Sequence, residues 1–421
     1  MNKKYNVLVI GGGGREHAII WALCKSPLID KLYCVPGNAG IASLAECEDI
    51  AATDIKGILN FLDRHKKINY VMVAPDDPLS LGLINILNEK GYMTFGPTKE
   101  AAIIESSKAF SKELMKKYNI PTADYQVFQD YQKAYDYLKS AKYPLVVKAD
   151  GLALGKGVII CEDFETAHRA IKDMMQDGKF GNSGHTVVVE EFLKGFEVSI
   201  LAFTDGKTIV TMPSSQDHKR VFDFDKGLNT GGMGAFSPSI KFTNSMYDYA
   251  KKHIFEPTIK ALESENRPFS GVIYFGLMID GEDIKILEYN ARFGDPETQS
   301  ILPLLKTDLF EIFLAVSEKR LDKIKIEWED KTAVCVVMAS GGYPKTYKKG
   351  EVIDIGQMDD NVIVFHAGTK MIDDKLVTNG GRVLGVTSVA DNMEDARTSA
   401  YNNVKKIQFN NVHYRKDIGI K

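Results

Sequence analysis

The first hundred residues alternate between short apolar runs and longer stretches in which apolar positions recur at helical spacing. The strand-like runs lie at residues 5–10, 31–35 and 70–74, and the helix-like stretches lie at 15–25, 55–65 and 81–90. Strands that alternate with helices in this way are typical of a parallel sheet covered on both faces. We therefore predict a doubly wound α/β domain at residues 1–104.

After two further helical stretches, at residues 99–105 and 108–118, the strands follow one another closely. The strand-like runs of this region are residues 143–148, 157–161, 186–192, 197–204, 271–280 and 284–290. The last two runs flank Gly281 and predict a β-hairpin. We expect an α+β domain with mostly antiparallel sheets at residues 105–325.

The last hundred residues carry shorter β runs, some of them separated by glycine pairs. These runs lie at residues 332–339, 351–355, 362–367 and 383–388, and a helix-like stretch follows at 392–407. The pattern predicts a small mixed C-terminal domain at residues 326–421. The fold class expected for the whole chain is a multidomain combination of α/β and α+β units.

The composition is that of an ordinary globular protein: 421 residues, of which 44% are hydrophobic, with 53 Lys and Arg against 56 Asp and Glu. The net charge of −3 supplies no global field, so we expect no nucleic acid and no membrane as partner. Five scattered cysteines lack the spacing of a zinc site or a disulfide scaffold. The first apolar run is too short for a signal-peptide core, which favours a cytoplasmic location. Separately, we expect a monomer.

The run Gly11-Gly12-Gly13-Gly14 stands where the first strand passes into the first helix. Glycines permit close backbone approach, and the start of a helix presents N–H groups and a positive dipole end to an anion. A tight turn without a ligand explains the same residues. A nicotinamide site is a further alternative, although the acidic residue that it requires after the second strand is not evident near residues 35–38.

Two lysines bracket a second glycine-rich loop, because Lys148 ends one strand and Lys156 precedes the next. Two ammonium groups and the N–H groups of a flexible loop can together hold a polyphosphate. The segment differs from the Walker A loop, since no Gly-Lys-Ser or Gly-Lys-Thr precedes a helix. A β-hairpin with surface lysines is the alternative interpretation.

Charged residues crowd the strands and loops that follow. Glu190 and Glu191 are adjacent in an apolar strand, so their side chains face opposite sides and one of them requires a hydrogen-bonding partner. Residues 216–220 combine both signs of charge, and a glycine-rich turn follows at 229–234. This irregular polar backbone favours an anion-binding loop, although His218 alone would more often be a surface histidine.

The clearest local signal lies at residues 287–299. In a strand, Glu288 and Asn290 point to the same face, so their oxygens aim at one point. A carboxylate and an amide oxygen suit Mg²⁺, which takes its other ligands from water and phosphate. Arg292 lies on the same face if the strand continues, and its guanidinium can hold a carboxylate or a phosphate. A salt-bridged strand end explains one of these residues but not all three.

Together these motifs resemble the ATP-grasp superfamily and, within it, the phosphoribosylamine–glycine ligase family. The likeness extends over nearly the whole chain, and its most specific segment is Arg-Phe-Gly-Asp-Pro-Glu-Thr-Gln at residues 292–299. The resemblance implies an N-terminal domain, a central ATP-grasp domain with a lid subdomain at residues 122–187, and a C-terminal domain. It also implies that ATP, glycine and 5-phosphoribosylamine yield glycinamide ribonucleotide, ADP and phosphate through glycyl phosphate, in de novo purine (IMP) biosynthesis.

The resemblance further implies a role for each matching residue. The residues expected to contact ATP are Lys108, Lys148, Gly155, Lys156, Glu190, Phe192 and Glu197. The residues expected to face glycine or phosphoribosylamine are Gly13, Asn38, Asp76, Asp217, His218, Lys219, Arg220, Arg292 and Asp295. The expected ligands of Mg²⁺ or Mn²⁺ are Glu288 and Asn290, and the expected catalytic residues are Arg292, Lys148 and Asp295.

Two positions depart from the family pattern. The strand at residues 70–73 is followed by Ala-Pro-Asp-Asp-Pro, where the family usually has a glutamate, so Asp76 must reach one methylene further to a sugar hydroxyl. The strand at residues 272–277 is apolar, whereas many members carry a first metal carboxylate there. The identity of the remaining metal ligands therefore stays open.

Three alternatives also stay open. Another ATP-grasp enzyme could act on a different carboxylate and acceptor, in the manner of a biotin carboxylase or of a carboxyaminoimidazole-forming enzyme. A nicotinamide-dependent oxidoreductase could be built on the glycine loop at residues 11–14. A non-catalytic nucleotide sensor is disfavoured, because the metal-ligand pair and the loop lysines are all present.

Overall fold

The computed structural model describes residues 4–152, 157–179 and 181–420. Gly155 and Lys156, both expected at the nucleotide, lie outside the described residues. Within these ranges the chain forms three regions, each with its own sheet or sheets. No helix in the described part of the chain is long and apolar enough to cross a bilayer.

A five-stranded parallel sheet forms the N-terminal region. Its strands are β1 (Tyr5–Gly11), β2 (Ile29–Pro36), β3 (Glu46–Cys47), β4 (Tyr70–Val73) and β5 (Met93–Phe95), ordered β3-β2-β1-β4-β5. The helices of this region and of the passage to the next are α1 (Gly14–Leu23), α2 (Ile55–Arg64), α3 (Asp76–Ser80), α4 (Leu83–Glu89), α5 (Lys99–Ser106) and α6 (Lys108–Lys117). The strand order runs outward in both directions from β1, which confirms the predicted doubly wound sheet.

The single helix predicted at residues 81–90 is wrong at its start. The helix α4 begins only at Leu83, because Gly82 adopts a φ of +87°, a left-handed conformation that interrupts helical hydrogen bonding. The residues before it form the separate short helix α3. As a result, Asp76 stands in the first turn of a helix that follows β4 almost directly.

The central region contains two four-stranded antiparallel sheets. The first, ordered β6-β9-β7-β8, comprises β6 (Tyr125–Phe128), β7 (Leu145–Ala149), β8 (Val158–Cys161) and β9 (Val187–Glu191), with helices α7 (Tyr131–Leu138) and α8 (Phe164–Met175). The elements after β9 are β10 (Phe196–Thr204), β11 (Ile209–Thr211), β12 (Gln216–Asp217), β13 (Arg220–Phe222), β14 (Lys226–Asn229), β15 (Gly234–Ser237), α9 (Asn244–Ala250), α10 (Glu256–Ser264), β16 (Gly271–Asp280) and β17 (Asp283–Asn290). The second sheet is ordered β11-β10-β16-β17. These pairings confirm the α+β expectation, and β16 with β17 is the predicted hairpin.

The remaining elements begin with two helices and end in a mixed C-terminal region. They are α11 (Glu297–Ile301), α12 (Leu309–Ser317), β18 (Thr332–Ala339), β19 (Asp354–Ile355), β20 (Val362–His366), β21 (Thr369–Ile372), β22 (Lys375–Thr378), β23 (Arg382–Ala390), α13 (Met393–Val404) and β24 (Ile407–Gln408). The main sheet is ordered β12-β15-β18-β23-β20. Two strands of the central region therefore extend the sheet of the C-terminal region.

The strand predicted at residues 351–355 is shorter than expected. Asp354 and Ile355 pair with β24, whereas Val352 forms an isolated bridge to Val377. Because the two ends of the segment pair with different neighbours, only its last two residues form a strand. The hairpin of β21 and β22 has no counterpart among the predicted elements.

Both faces of the N-terminal sheet are packed. Leu8 contributes to one core together with α2, and Val9, pointing the other way, contributes to a second core together with α1. The helix α12 also packs on this second face, where the Phe310 ring lies 5.1 Å from that of Tyr5, centroid to centroid. The chain that leaves the central region is thus anchored on the N-terminal sheet.

A buried arginine near the C-terminus fixes the hairpin of β13 and β14. The Arg415 side chain is fully buried, and its guanidinium lies 2.5 Å from Asp417 and 2.8 Å from Asp225. It also donates to the carbonyl oxygen of Arg220 at 3.0 Å. Asp417 in turn accepts from the backbone N–H of Phe224 at 2.8 Å, at a residue with a left-handed φ of 57°. The C-terminal segment therefore sets the conformation of this hairpin.

Removing Arg415 is expected to destabilise the chain. Arg415→Met leaves Asp417 buried without its cation, so the free energy of unfolding should fall by about 3 kcal/mol. Urea denaturation followed by circular dichroism measures the change. The neighbouring Lys416 is exposed, and Lys416→Met serves as the control with little expected effect. Equal midpoints for the two variants would contradict the role assigned to Arg415.

Candidate active site

The strand β17 presents two of the predicted site residues on one face. Gly276 of β16 pairs with Glu288 and the next residue pairs with Ile286, so Leu287 is an extra residue in the register. Because the bulge interrupts strict alternation, Ile286 and Tyr289 are both buried although they are three residues apart. Glu288 and Asn290, which flank Tyr289, therefore share the opposite face.

Lys148, in β7, reaches this strand across the space between the two central sheets. Its Nζ donates to the carbonyl oxygen of Leu287 at 3.1 Å and lies 3.0 Å from Oε2 of Glu190. Lys112 of α6 lies 2.9 Å from the same carboxylate oxygen. Burial lowers the pKa of Lys112 to about 8, although the charge of Glu190 opposes this shift. One carboxylate is thus shared by two lysines.

The two adjacent glutamates of β9 face opposite sides, in agreement with strand alternation. Glu190 is 3% exposed, whereas Glu191 is exposed and lies 3.1 Å from Nζ of Lys285. Phe192 follows the end of β9 and is half-buried, and Glu197 is half-buried in β10. These four positions line the connection between the two central sheets.

Lys108 opens helix α6 and is directed toward the same region. Its Nζ donates to the carbonyl oxygen of Gly151 at 2.8 Å. Asp150 accepts from the backbone N–H of Ala109 at 3.1 Å, which ties the first turn of α6 to the loop after β7. Burial lowers the pKa of Lys108, and the charge of Glu288 acts in the opposite direction.

Arg292 is held by two carboxylates of the N-terminal side. Its Nη2 lies 3.0 Å from Glu105 and 3.9 Å from Asp76, and Nη2 also donates to Asn290 Oδ1 at 3.5 Å. Glu105 accepts from the backbone N–H of Ala291 at 2.8 Å. Burial alone would lower the pKa of Arg292, but the charges of Glu105 and Asp76 raise it above its usual value. The guanidinium is therefore fixed at the end of β17 and remains charged.

Asp295 forms an ion pair with the C-terminal region. Arg382 of β23 lies 3.0 Å from Oδ2 of Asp295 and donates to the carbonyl oxygen of Gly231 at 2.6 Å. The other carboxylate oxygen of Asp295 accepts from Nε2 of Gln299 at 2.7 Å. Both oxygens thus have protein partners here, and a direct contact of Asp295 with a substrate stays a prediction.

The glycine loop after β1 is tightened by its own helix and by an asparagine. The backbone N–H of Gly13 donates to Glu16 at 2.6 Å, at the start of α1. Nδ2 of Asn38 donates to the carbonyl oxygens of Gly12 and His366, both at 2.9 Å. Because His366 ends β20, the C-terminal region contacts the loop predicted to face the sugar phosphate.

The charged loop at residues 216–220 is structured by internal contacts. Nζ of Lys219 lies 3.2 Å from Asp217, and Arg220 donates to the carbonyl oxygen of Gly227 at 2.8 Å. Lys219 also lies 3.3 Å from Glu197 of β10. His218 is fully buried, which contradicts the expectation of a surface histidine.

Three charged residues of the site belong to no sequence motif: Glu105, Lys112 and Arg382. Glu105 and Lys112 lie in ordinary helical segments, and Arg382 begins a strand of the C-terminal region. The only signal in the sequence is that Lys112 stands four residues after Lys108, one helical turn along the same side.

The two antiparallel central sheets, with Lys148 of one reaching the Glu-x-Asn strand of the other, define a ligase of the ATP-grasp class. Three family models match the chain: the phosphoribosylglycinamide synthetase N domain at residues 5–105, its ATP-grasp (A) domain at 106–298 and its C domain at 333–421. The chain belongs to the phosphoribosylglycinamide synthetase family. This confirms the resemblance noted in the sequence.

Curated relatives and solved structures agree with this assignment. Phosphoribosylamine–glycine ligase of Caldanaerobacter subterraneus subsp. tengcongensis is 48% identical, over 98% of this chain and 99% of the relative. The enzyme of the same name from Halalkalibacterium halodurans is 44% identical, over 99% and 97%. The crystal structure of phosphoribosylamine–glycine ligase from Thermotoga maritima superposes with a TM-score of 0.86 at 34% identity, covering 98% of this chain and 100% of that one. Biotin carboxylase from Campylobacter jejuni, at 14% identity and a TM-score of 0.77, covering 99% of this chain and 94% of that one, shows the shared fold alone.

Glu105 should make the stability of the chain depend on pH in a defined direction. Burial raises the pKa of Glu105 from 4.5 to about 7, although the charge of Arg292 opposes this shift. Between pH 4.5 and pH 7, Glu105 is therefore protonated in the folded chain and ionised in the unfolded chain. The stability due to this group is complete below pH 4.5 and is lost as the pH rises through 7. Glu105→Gln removes this loss, and the gap in unfolding free energy between variant and parent should shift by about 3 kcal/mol over that window.

Urea denaturation at a series of pH values measures this gap. Glu100, an exposed residue of the same helix, provides the control Glu100→Gln. The pKa of Glu100 is lowered from 4.5, chiefly by a hydrogen bond from Asn85, so the difference in unfolding free energy between this variant and the parent should stay constant from pH 4.5 to pH 7. Parallel pH curves for the parent and for Glu105→Gln would show that Glu105 does not titrate there.

Proposed function

We propose that this chain is a phosphoribosylamine–glycine ligase, which converts ATP, glycine and 5-phosphoribosylamine to glycinamide ribonucleotide, ADP and phosphate. The observation that carries the proposal is the 48% identity, over nearly the full length of both chains, to an enzyme of that name. The reaction belongs to de novo purine (IMP) biosynthesis. A cytoplasmic location, a monomeric state, and domains at 1–104, 105–325 and 326–421 are part of the same proposal.

The nucleotide is proposed to bind between the two central sheets. The residues assigned to it are Lys108, Lys148, Gly155, Lys156, Glu190, Phe192 and Glu197. In support, Lys148 of β7 contacts both Glu190 of β9 and the backbone of β17, and Lys108 contacts the loop after β7, so two lysines bring positive charge to this space. The lid subdomain, residues 122–187, would close over the nucleotide and exclude water, which would otherwise hydrolyse an activated acyl group.

A divalent cation, Mg²⁺ or Mn²⁺, is proposed to accompany the nucleotide. Glu288 and Asn290 provide a carboxylate and an amide oxygen on one strand face, which is the donor chemistry that a hard cation requires. Among the described residues, no group of three or more His, Cys, Asp and Glu side chains could hold a metal ion, so phosphate oxygens would complete the ligand set. When bound, the cation would neutralise charge on the phosphoryl groups.

The first chemical step is proposed to be attack by a glycine carboxylate oxygen on the γ-phosphorus of ATP. The bond from the γ-phosphorus to the bridging oxygen breaks, ADP leaves and glycyl phosphate forms. Arg292 would stabilise the charge on the transferring group. In support, Nη2 of Arg292 lies 3.0 Å from Oε1 of Glu105, and this contact fixes the position of the guanidinium at the end of β17. Lys148 would act in the same way from the nucleotide side, and Asp295 would orient glycine.

The second step is proposed to be attack by the amine of phosphoribosylamine on the carbonyl carbon of glycyl phosphate. An amide bond forms, phosphate leaves with one former glycine oxygen, and the amine loses a proton. The residues assigned to the substrates are Gly13, Asn38, Asp76, Asp217, His218, Lys219, Arg220, Arg292 and Asp295. In support, the glycine loop joins β1 to the start of α1, whose positive dipole end attracts anions, although the N–H of Gly13 donates to Glu16.

Isotope transfer tests the reaction and its intermediate together. With glycine labelled by heavy oxygen in the carboxylate, one labelled oxygen should appear in the released phosphate, and ADP release should require both glycine and phosphoribosylamine. Bicarbonate in place of glycine should give no ADP release above background. Label that stays wholly in the amide product would exclude the acyl phosphate.

A matched pair of variants ties this activity to β17. Glu288→Ala should abolish product formation while leaving the melting temperature near that of the parent, since Glu288 is half-buried at the strand surface. Glu282→Ala, in the exposed turn of the same hairpin, should retain full activity. Equal activities of the two variants would remove Glu288 from the site.

A further inference from the structure

A buried charge cluster lies between helix α6 and strands β7 and β9. Oε2 of Glu190 is 2.9 Å from Nζ of Lys112 and 3.0 Å from Nζ of Lys148. The exposed fraction of each side chain is 9% or less. Carboxylate oxygens buried this deeply need strong partners, and one oxygen here serves two cations.

The two lysines differ in their other contacts. Nζ of Lys112 donates to Oγ1 of Thr122 at 2.8 Å and approaches the carbonyl oxygen of Ala123 at 3.5 Å. With Glu190, these acceptors match the three N–H groups of the Lys112 ammonium. Lys148 donates instead to the carbonyl oxygen of Leu287, the residue before Glu288, and so reaches the strand face that is proposed to hold the nucleotide.

The charges in this cluster do not cancel. Two lysines and one glutamate leave one net positive charge, whereas Glu190 and Lys148 alone would form a neutral pair. In a poorly solvated site, one unit of charge changes the attraction for a polyphosphate strongly. Lys112 is thus the residue that allows Lys148 to carry an uncompensated charge.

We propose that Lys112 is a positioning residue of the nucleotide site, which takes up the charge of Glu190 and thereby leaves the charge of Lys148 available to the phosphates. The inference rests on the proposed function, since it assumes that a nucleoside triphosphate binds beside Lys148. It assigns Lys112 no contact with the substrate. It predicts an effect on phosphate recognition that is separate from recognition of the base.

The test compares the affinity for Mg·ATP with the affinity for adenosine, both measured by calorimetry on the full chain. Lys112→Met should weaken Mg·ATP about tenfold or more, because Lys148 is then neutralised by Glu190, and should leave adenosine within about twofold. Lys116→Met, on the same helix but exposed, should leave both affinities unchanged. An equal loss for ATP and adenosine would mean that Lys112 only maintains the shape of the pocket.

A second variant restores the charge without restoring the lysine. Lys112→Met combined with Glu190→Gln leaves one net positive charge on Lys148, so the ratio of ATP to adenosine affinity should return to the parent value. Because Glu190 itself belongs to the proposed nucleotide site, Glu190→Gln alone can change both affinities, but it should not lower the ratio of ATP to adenosine affinity. If Lys112→Met alone does not fold, the double variant and Glu190→Gln still test the role of Lys112. A ratio of ATP to adenosine affinity below the parent value in either variant would overturn the proposal.

The outcome separates this inference from the proposed function. Binding of nucleotides requires neither glycine nor phosphoribosylamine. A parent chain that binds Mg·ATP no more tightly than adenosine would count against the nucleotide site itself. A parent chain that prefers ATP, together with a Lys112→Met variant that keeps the same preference, would count against the role of Lys112 alone.

Discussion

Side-chain alternation along β17 is the constraint on which the rest of the site depends. The bulge at Leu287 lets Ile286 and Tyr289 both enter the core, and this fixes Glu288 and Asn290 on the opposite face. The core thus determines the direction of the two oxygens that are proposed to hold a cation. A one-residue change of register would turn both side chains toward the core, so the position of the two oxygens depends on the packing of the sheet.

Protein carboxylates hold the cations of the site in place before any substrate binds. Arg292 is paired with Glu105, Arg382 with Asp295, and Lys148 with Glu190, each at about 3 Å. Such pairs reduce the reorganisation that phosphoryl transfer would otherwise require, because the donors already point in fixed directions. They also join distant parts of the chain, since Glu105 lies on α5 and Arg382 belongs to the C-terminal region. Through Arg382, the C-terminal region contacts a residue of the candidate site directly.

The sequence predicts those features that depend on local pattern. The parallel sheet, the hairpin of β16 and β17 and the common direction of Glu288 and Asn290 all follow from periodicity over a few residues. The partners of the charged groups do not, because Arg382 meets Asp295 across 87 residues and Glu105 meets Ala291 across 186. The spacing of four residues from Lys108 to Lys112 repeats from Lys112 to the exposed Lys116, so it does not tell these two lysines apart. Tertiary packing alone decides which of the two lysines is buried against Glu190.

Mg·ATP is proposed to lie between the lysines of β7 and α6 and the Glu288–Asn290 face of β17. A crystal structure of the chain with magnesium and a non-hydrolysable ATP analogue tests this position. The triphosphate should contact Lys148, and Glu288 and Asn290 should bind the metal together. A triphosphate bound far from Lys148, or a metal held by neither residue, would contradict it.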